Sequence, residues 1–258
     1  MLQQFKISNK FTNNLAESII KKWKINNNKV FHLISDAKKD YVRDYYEKIG
    51  NIIGKYHMLA EDVMLGDRSD QKAKKIWMDV RYDSKINNAY RHSSNPQPLH
   101  TDGSYNPKFP NATIMCCISN SASGGETIFL ELEKLVQILE QDDPTLLKFL
   151  FSEEVLHERS GYKNKKKILT LKNKKLKINF NYYCVSEKNS KNSLKNIKKF
   201  FNFLNTSEKI KKNIISIKLN EGEALFWKDS EILHGRNSFL PKKDSDRFLW
   251  KAAIQIKE

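Results

Sequence analysis

His100 and Asp102 stand two residues apart in His100-Thr101-Asp102, and His234 follows the aspartate by 132 positions. In an extended segment, residues two apart project to one face, so an imidazole and a carboxylate at this spacing converge on a single ion. A folded sheet can bring a remote histidine to the same point. Two imidazoles and one carboxylate make a facial set that leaves coordination positions open on iron(II), where a cosubstrate and dioxygen bind. Zinc accepts the same three ligands together with a water, so these residues alone leave the metal open. His32, His57, His92 and His157 have weaker surroundings, and His92 is read as structural.

Arginine is scarce in this chain. Of 46 basic residues, 39 are lysine, and the seven arginines are Arg43, Arg68, Arg81, Arg91, Arg159, Arg236 and Arg247. Where lysine is used so freely, an arginine marks a place that needs a planar, bidentate fork. Arg236 lies two positions past His234 and shares its face if the strand continues. The net charge of +16 suggests nucleic acid, yet it comes from dispersed lysines in a chain rich in Asn and Ile. That pattern fits a solvated surface, and no specific nucleic-acid partner is expected; a basic nucleic-acid-binding protein on a related barrel is the alternative, and it requires a continuous basic groove.

No stretch reaches the roughly 18 apolar residues of a membrane span. The N-terminus lacks the basic and apolar regions of a secretory signal. Cys116, Cys117 and Cys184 are odd in number and have no metal-binding spacing, which suits reduced thiols and a cytoplasmic protein. The oligomeric state is left open.

The elements that must position these residues follow from periodicity. A helix is expected over Asn13–Trp23, a strand over Lys29–Leu33, and a second helix capped by Ser35 or Asp36 and running to about Ile49. The polar stretch from Arg81 to Pro98 reads as a functional loop. Ala112–Ile118 is an inner strand, Ser121–Gly125 a turn and Glu126–Phe129 extended. Helices are expected over Glu131–Glu140, Thr145–Phe151 and Ser193–Leu204. Lys163–Lys177 reads as two strands around a Lys-Asn-Lys-Lys turn rather than a basic tail. Strands Ile214–Leu219, Ala224–Trp227 and Phe248–Ile256 close the chain, with Phe226 and Trp227 in the core. The expected architecture is one domain over residues 1–258, mainly β with helical additions. It has helical decoration over about 1–80 and a metal-binding double-stranded β-helix (jelly-roll) core over about 81–258.

Three blocks carry a resemblance: His100-Thr101-Asp102-Gly103-Ser104-Tyr105, Gly124-Gly125-Glu126-Thr127, and Gly222 to Arg236 with Asp246-Arg247-Phe248-Leu249 beyond it. In this order they resemble the taurine dioxygenase and clavaminate synthase-like superfamily, and the ending resembles its amino-acid hydroxylase branch. The resemblance implies the jelly-roll fold, iron(II), 2-oxoglutarate as cosubstrate, and dioxygen. It implies that His100, Asp102 and His234 are the ligands, that Thr127 helps hold 2-oxoglutarate, and that Arg247 pairs with its distal carboxylate. A guanidinium fork suits that role; Arg236 competes for it, or brackets the metal-proximal carboxylate. Lys228-Asp229 departs from the Asp-Asn or Asn-Asn pair usual before the distal histidine.

The implied reaction is hydroxylation or desaturation of a small polar metabolite, such as an amino acid or a derivative. Arg91, Ser93, Ser94, Asn95 and Gln97 would line the pocket mouth. The basic charge raises a sulfonate or phosphonate as the alternative substrate.

Overall fold

In a computed structural model of the protein, residues 2–7, 17–22, 29–35, 42–57, 76–86 and 89–256 are described. The chain opens with β1 (Leu2–Ile7), helix α1 (17–22) and β2 (Val30–Ser35), followed by α2 (Val42–Ile53), β3 (Gly54–Tyr56) and β4 (Met78–Arg81). After a turn-rich stretch come β5 (Gln97–His100), β6 (Ala112–Asn120), the two-residue β7 (Ser123–Gly124) and β8 (Thr127–Glu131). Helices α3 (Leu132–Asp142) and α4 (Pro144–Ser152) precede two hairpins, β9 (Glu154–Arg159) with β10 (Tyr162–Lys167), and β11 (Leu169–Lys172) with β12 (Lys175–Ile178). Helices α5 (Lys191–Thr206) and α6 (Glu208–Lys212) lead to β13 (Ile215–Ile217), β14 (Ala224–Trp227), β15 (Ile232–Arg236), β16 (Phe239–Leu240) and β17 (Arg247–Ile256).

Local chemistry accounts for most of these boundaries. Asp143 Oδ1 accepts from the Leu146 amide at 3.1 Å, and Pro144, which has no N–H to lose, starts α4. Ser190 caps α5 through the Ser193 amide at 3.1 Å, so that helix begins two residues before the expected Ser193. The Lys-Asn-Lys-Lys turn joins β11 to β12 as expected, but Lys163–Lys167 belongs to a separate strand, β10. There Lys163 faces Glu158 and Lys167 faces Glu154 across the ladder, which offsets the run of positive charge. The expected helix over 13–23 is helical at 17–22. Its ends and the expected cap at Asp36 lie outside the described residues.

The expectation of a mainly β chain with a jelly-roll core is corrected by the strand pairing. The larger sheet runs β1-β2-β14-β6-β17-β3, with β4 also paired to β17, and the smaller runs β13-β8-β15-β5. Among the described strands no sheet closes into a barrel; both sheets are open, and β1 and β2 pair parallel. The fold is mixed α/β. The reason lies in the outer faces, where helices rather than further strands cover the apolar side chains. Ile19, Tyr46, Ile49 and Ile53 pack with Phe31, Ile114, Phe226 and Ile254 behind the large sheet. Leu135, Leu146, Leu150, Phe200 and Ile210 from α3–α6 pack with Leu130 and Leu233 behind the small one. Between the sheets, Met115, Cys117, Phe129, Leu225, Trp227, Ile232 and Leu249 form a third cluster.

Strand alternation then decides what faces the gap between the sheets. On β6 Ile114 and Cys116 point to the helices while Met115 and Cys117 point inward; on β14 Phe226 points outward and Leu225 and Trp227 inward. On β17 Leu249 points inward, so Arg247 and Lys251, two positions either side, take the same face.

His157 on β9 is fully buried, and burial pushes its imidazole down to about 4. The unfolded chain takes up a proton near pH 6.5 and the folded chain does not, so this residue's contribution is complete above that pH. It is lost as pH falls from about 6.5 to 4, on the order of 3 kcal/mol in all. Urea unfolding of metal-free protein across that window should show a shallower pH slope in His157→Leu than in wild type; equal slopes would refute the assignment.

Candidate metal centre and its cavity

The two histidines meet because β5 pairs antiparallel with β15, which puts His234 directly opposite His100. Their ring centroids are 4.3 Å apart. Asp102 reaches them differently from the expectation of an extended His-x-Asp. It lies beyond the end of β5, in a turn where Gly103 has φ +57° and the Phe109 ring occupies the space a Cβ would need. The turn is anchored by Thr101, whose amide donates to the Phe180 carbonyl at 2.6 Å and whose Oγ1 accepts from the Phe180 amide at 3.0 Å. One donor atom from each of His100, Asp102 and His234 lies within 4.8 Å of the others. His100 Nε2 is 3.9 Å from Asp102 Oδ1, and His234 Nε2 is 3.7 Å from Asp102 Oδ2.

The protonation pattern suits metal binding. His100 Nδ1 donates to the Pro98 carbonyl at 2.8 Å, which leaves the Nε2 lone pair turned to the site, where the Gln97 amide lies 3.1 Å away. His234 is held neutral: burial pushes its imidazole well below the usual range, and His100 adds to the effect. Its Nε2 is buried without a hydrogen-bond partner among the described residues. A buried nitrogen left in this state is costly unless it has a ligand to bind. Two neutral imidazoles and a carboxylate therefore fit a divalent metal, with room for more ligands.

Asp229 supports all of this from behind. Its Oδ2 accepts from the Asp102 amide at 2.8 Å, its Oδ1 accepts from Trp227 Nε1 at 3.2 Å, and Oδ1 lies 3.3 Å from His234 Nδ1. Burial, then the nearby Asp102 charge, pushes its carboxyl well above the usual range. Lys251 forms an ion pair with Asp102 Oδ2 and lies 5.8 Å from the centre of the Trp227 ring.

A cavity of about 430 Å³ opens over the triad, and Thr127, Arg236 and Arg247 line it too. Thr127 and Arg236 are opposite one another on β8 and β15. The two arginines differ in their ties. Arg236 Nη2 donates to the backbone carbonyls of Ser93 at 2.8 Å and Asn95 at 2.5 Å, which binds the loop before β5 to the sheet. Arg247 Nε donates to the Gly125 carbonyl at 3.0 Å. A side chain at Gly125 would strike that arginine, since a Cβ would come within 2.9 Å of it. Burial is the main cause that lowers both guanidiniums, Arg247 to about 9 and Arg236 to about 10, so both stay charged at neutral pH.

Of the expected mouth residues, Arg91 and Gln97 line the cavity; Ser93 and Asn95 instead use their carbonyls to hold Arg236, and Ser94 is not in the lining. Asp229, Lys251, Arg159 and the tyrosines Tyr90, Tyr182 and Tyr183 were not anticipated as site residues. Lys251 was accessible from strand period, being four residues after Arg247. Asp229 stands in the Lys228-Asp229 pair already noted before the distal histidine, and Tyr90 in the loop before β5; Arg159, Tyr182 and Tyr183 come from distant segments, and nothing local marks them. Among the described residues no helix is long and apolar enough to cross a membrane.

No curated protein sequence matches the chain. Among solved structures, an asparagine oxygenase in complex with Fe(II), 2S,3S-3-hydroxyasparagine and succinate superposes with a TM-score of 0.74 at 10% identity, covering 95% of this chain and 80% of that one. The non-heme iron oxygenase OrfP in complex with Fe and alpha-ketoglutaric acid superposes with a TM-score of 0.70 at 12% identity, with 95% and 80% covered. Its complex with Fe, succinate and (3S)-hydroxy-L-Arg gives 0.71 at 12% identity, with 95% and 82% covered. These likenesses concern the fold. The model of the taurine catabolism dioxygenase TauD, TfdA family matches residues 42–253. With a two-histidine, one-carboxylate cluster at the floor of its cavity, the chain belongs to the TauD, TfdA family and is an iron(II)- and 2-oxoglutarate-dependent dioxygenase.

Proposed function

We propose that this dioxygenase hydroxylates a small amino-acid-like metabolite, with iron(II) held by His100, Asp102 and His234. The observation that carries the reading is the gathering of those three donors at one cavity wall, with Arg247 and Thr127 lining the same cavity. The solved structures with the same fold hold hydroxylated asparagine and hydroxylated arginine, which supports an amino-acid scaffold for the substrate.

Bound iron(II), with 2-oxoglutarate and dioxygen, supplies the oxidising chemistry: the cosubstrate becomes succinate and carbon dioxide, and a substrate C–H bond is oxidised. The chain's own part is positioning. His100 and His234 offer neutral nitrogens, Asp102 offers the anionic oxygen, and Asp229 fixes the angle of two of the three from behind. Arg247 pairs its fork with the distal carboxylate of 2-oxoglutarate and Thr127 adds a hydroxyl donor. Arg236 ties the Ser93–Asn95 loop to β15 and contributes positive charge to the cavity lining. Trp227 and Met115 give the cavity apolar lining beside the triad, with Phe129 packed in the core against Trp227.

Anaerobic iron(II) with 2-oxoglutarate should give a visible charge-transfer band in the wild type. His234→Ala should abolish iron-dependent succinate formation; retained turnover would remove it from the ligand set. Arg247→Ala should raise the 2-oxoglutarate concentration for half-saturation at least about tenfold, equivalent to about 1.4 kcal/mol. A larger effect from Arg236→Ala would reverse the two roles. Asp229→Ala should weaken iron(II) binding by about 10- to 100-fold in anaerobic titration, and wild-type affinity in that variant would show that Asp229 serves the fold alone.

A further inference from the structure

Four aromatic rings meet in the lining of the cavity. Tyr90, Tyr182, Tyr183 and Phe201 come from three separate segments: the loop before β5, a short 3-10 helix at Tyr182–Cys184, and α5. Together they make one continuous set. Tyr182 stacks on Phe201, with ring centroids 4.0 Å apart and planes 19° from parallel. Tyr183 stands edge-on to both, 5.5 Å from Tyr182 and 6.0 Å from Phe201, and lies 5.4 Å from Tyr90.

The rings are held in place from several sides. Tyr182 and Phe201 rest on the apolar cluster behind the small sheet. Asn181 Oδ1 accepts from the Tyr183 amide at 3.2 Å and so fixes the start of the 3-10 helix. Tyr90 belongs to the loop that Arg236 ties to β15. Burial pushes the Tyr90 hydroxyl up to about 12, and its hydrogen bond with Tyr183 adds to the effect, so loop and helix are joined directly.

These rings differ from those of the core. Phe129, Phe180 and Phe200 are fully buried, whereas Tyr183 is 54% exposed and Tyr90, Tyr182 and Phe201 are half-buried. Aromatic surface left partly open is ordinary when scattered, but gathered on one cavity it marks a place where a ligand packs. Rings prefer offset or edge-on contacts with further rings, which is the geometry already present among these four.

Charge narrows what the subsite receives. Among the described residues, the one carboxylate lining the cavity is Asp102, a metal ligand that is paired with Lys251. A cationic substrate side chain therefore finds no second carboxylate there. Arg91 and Arg159 also line the cavity, and a guanidinium accepts the face of an aromatic ring.

Resting on the dioxygenase reading above, we propose that Tyr90, Tyr182, Tyr183 and Phe201 form an aromatic subsite, and that the substrate is an amino acid with a flat, uncharged aromatic side chain. Its ring packs against these four while the carbon to be oxidised faces the triad.

The test uses anaerobic protein loaded with iron(II) and 2-oxoglutarate, titrated by calorimetry. The probes are L-phenylalanine, L-tyrosine and L-tryptophan, with L-cyclohexylalanine, L-leucine, L-asparagine and L-arginine as counterparts. At least one aromatic amino acid should bind saturably and at least about tenfold more tightly than L-leucine, equivalent to about 1.4 kcal/mol. It should also bind more tightly than L-cyclohexylalanine, which has the bulk without the aromatic face. Tyr183→Ala should weaken that ligand at least about fivefold while the 2-oxoglutarate band titrates as in wild type. Tyr183→Phe, which keeps the ring, should retain most of the affinity and guards against a folding defect. The subsite is overturned if leucine, asparagine or arginine binds as tightly as the best aromatic amino acid, if no aromatic amino acid binds, or if the aromatic preference is undiminished in Tyr183→Ala. Absence of the 2-oxoglutarate band in wild type would sink the dioxygenase reading itself, whereas a normal band without aromatic selectivity sinks only the subsite.

Discussion

The antiparallel pairing of β5 with β15 is the constraint on which the centre depends. It sets His100 opposite His234, and each ring then needs a backbone or carboxylate neighbour to fix its orientation. Pro98 supplies that neighbour for His100; Asp229 lies 3.3 Å from His234 Nδ1 and takes the Asp102 amide. A slip of one residue in this ladder would turn His234 and Arg236 together toward the helices, because strand side chains alternate between faces. The apolar neighbours Leu233 and Ile232 would exchange faces at the same time, so packing and metal chemistry hold the same register. The sheet is in this sense over-determined: α3–α6 demand Leu130 and Leu233 on their side, and the cavity receives what remains.

Covering both outer faces with helices has a further consequence. Strands such as β6 and β14 are apolar on both sides, since one face meets α1 and α2 and the other meets the opposing sheet. The polar residues of the site are therefore concentrated toward one end of the gap between the sheets, where Thr127, His234, Arg236, Arg247 and Lys251 replace the leucines and aromatics of the inter-sheet core. Buried cations in that position are costly unless something anionic meets them. Asp102 answers Lys251, backbone carbonyls answer part of Arg236 and Arg247, and in the proposed function the carboxylates of the cosubstrate complete the set.

Much of this was legible in the order of residues. The periods of 3.6 and 2 identified α3, α4 and α5, the inner strand β6, and β14 and β17, because each is long or strongly patterned enough to report its own environment. The open sheets were not legible. Periodicity says which side of a strand is apolar but not whether a helix or another strand will cover it, and that choice separates a mixed α/β arrangement from a jelly roll. Asp102 is a smaller case: its approach to the histidines comes from a turn with Gly103 at positive φ, not from the alternation of an extended strand.

By itself, then, the sequence determined the chemistry on offer: a His-x-Asp with a distant histidine, scarce arginines at Arg236 and Arg247, and the apolar runs able to bury them. Side-chain type is a local property, so a motif can report it. The tertiary structure alone decided the division of labour, with Arg236 tied to the Ser93 and Asn95 carbonyls and Asp229 behind His234 and the Asp102 amide. Each of those contacts joins segments from five to more than a hundred residues apart. Their geometry follows from strand pairing and loop closure, which no local pattern encodes.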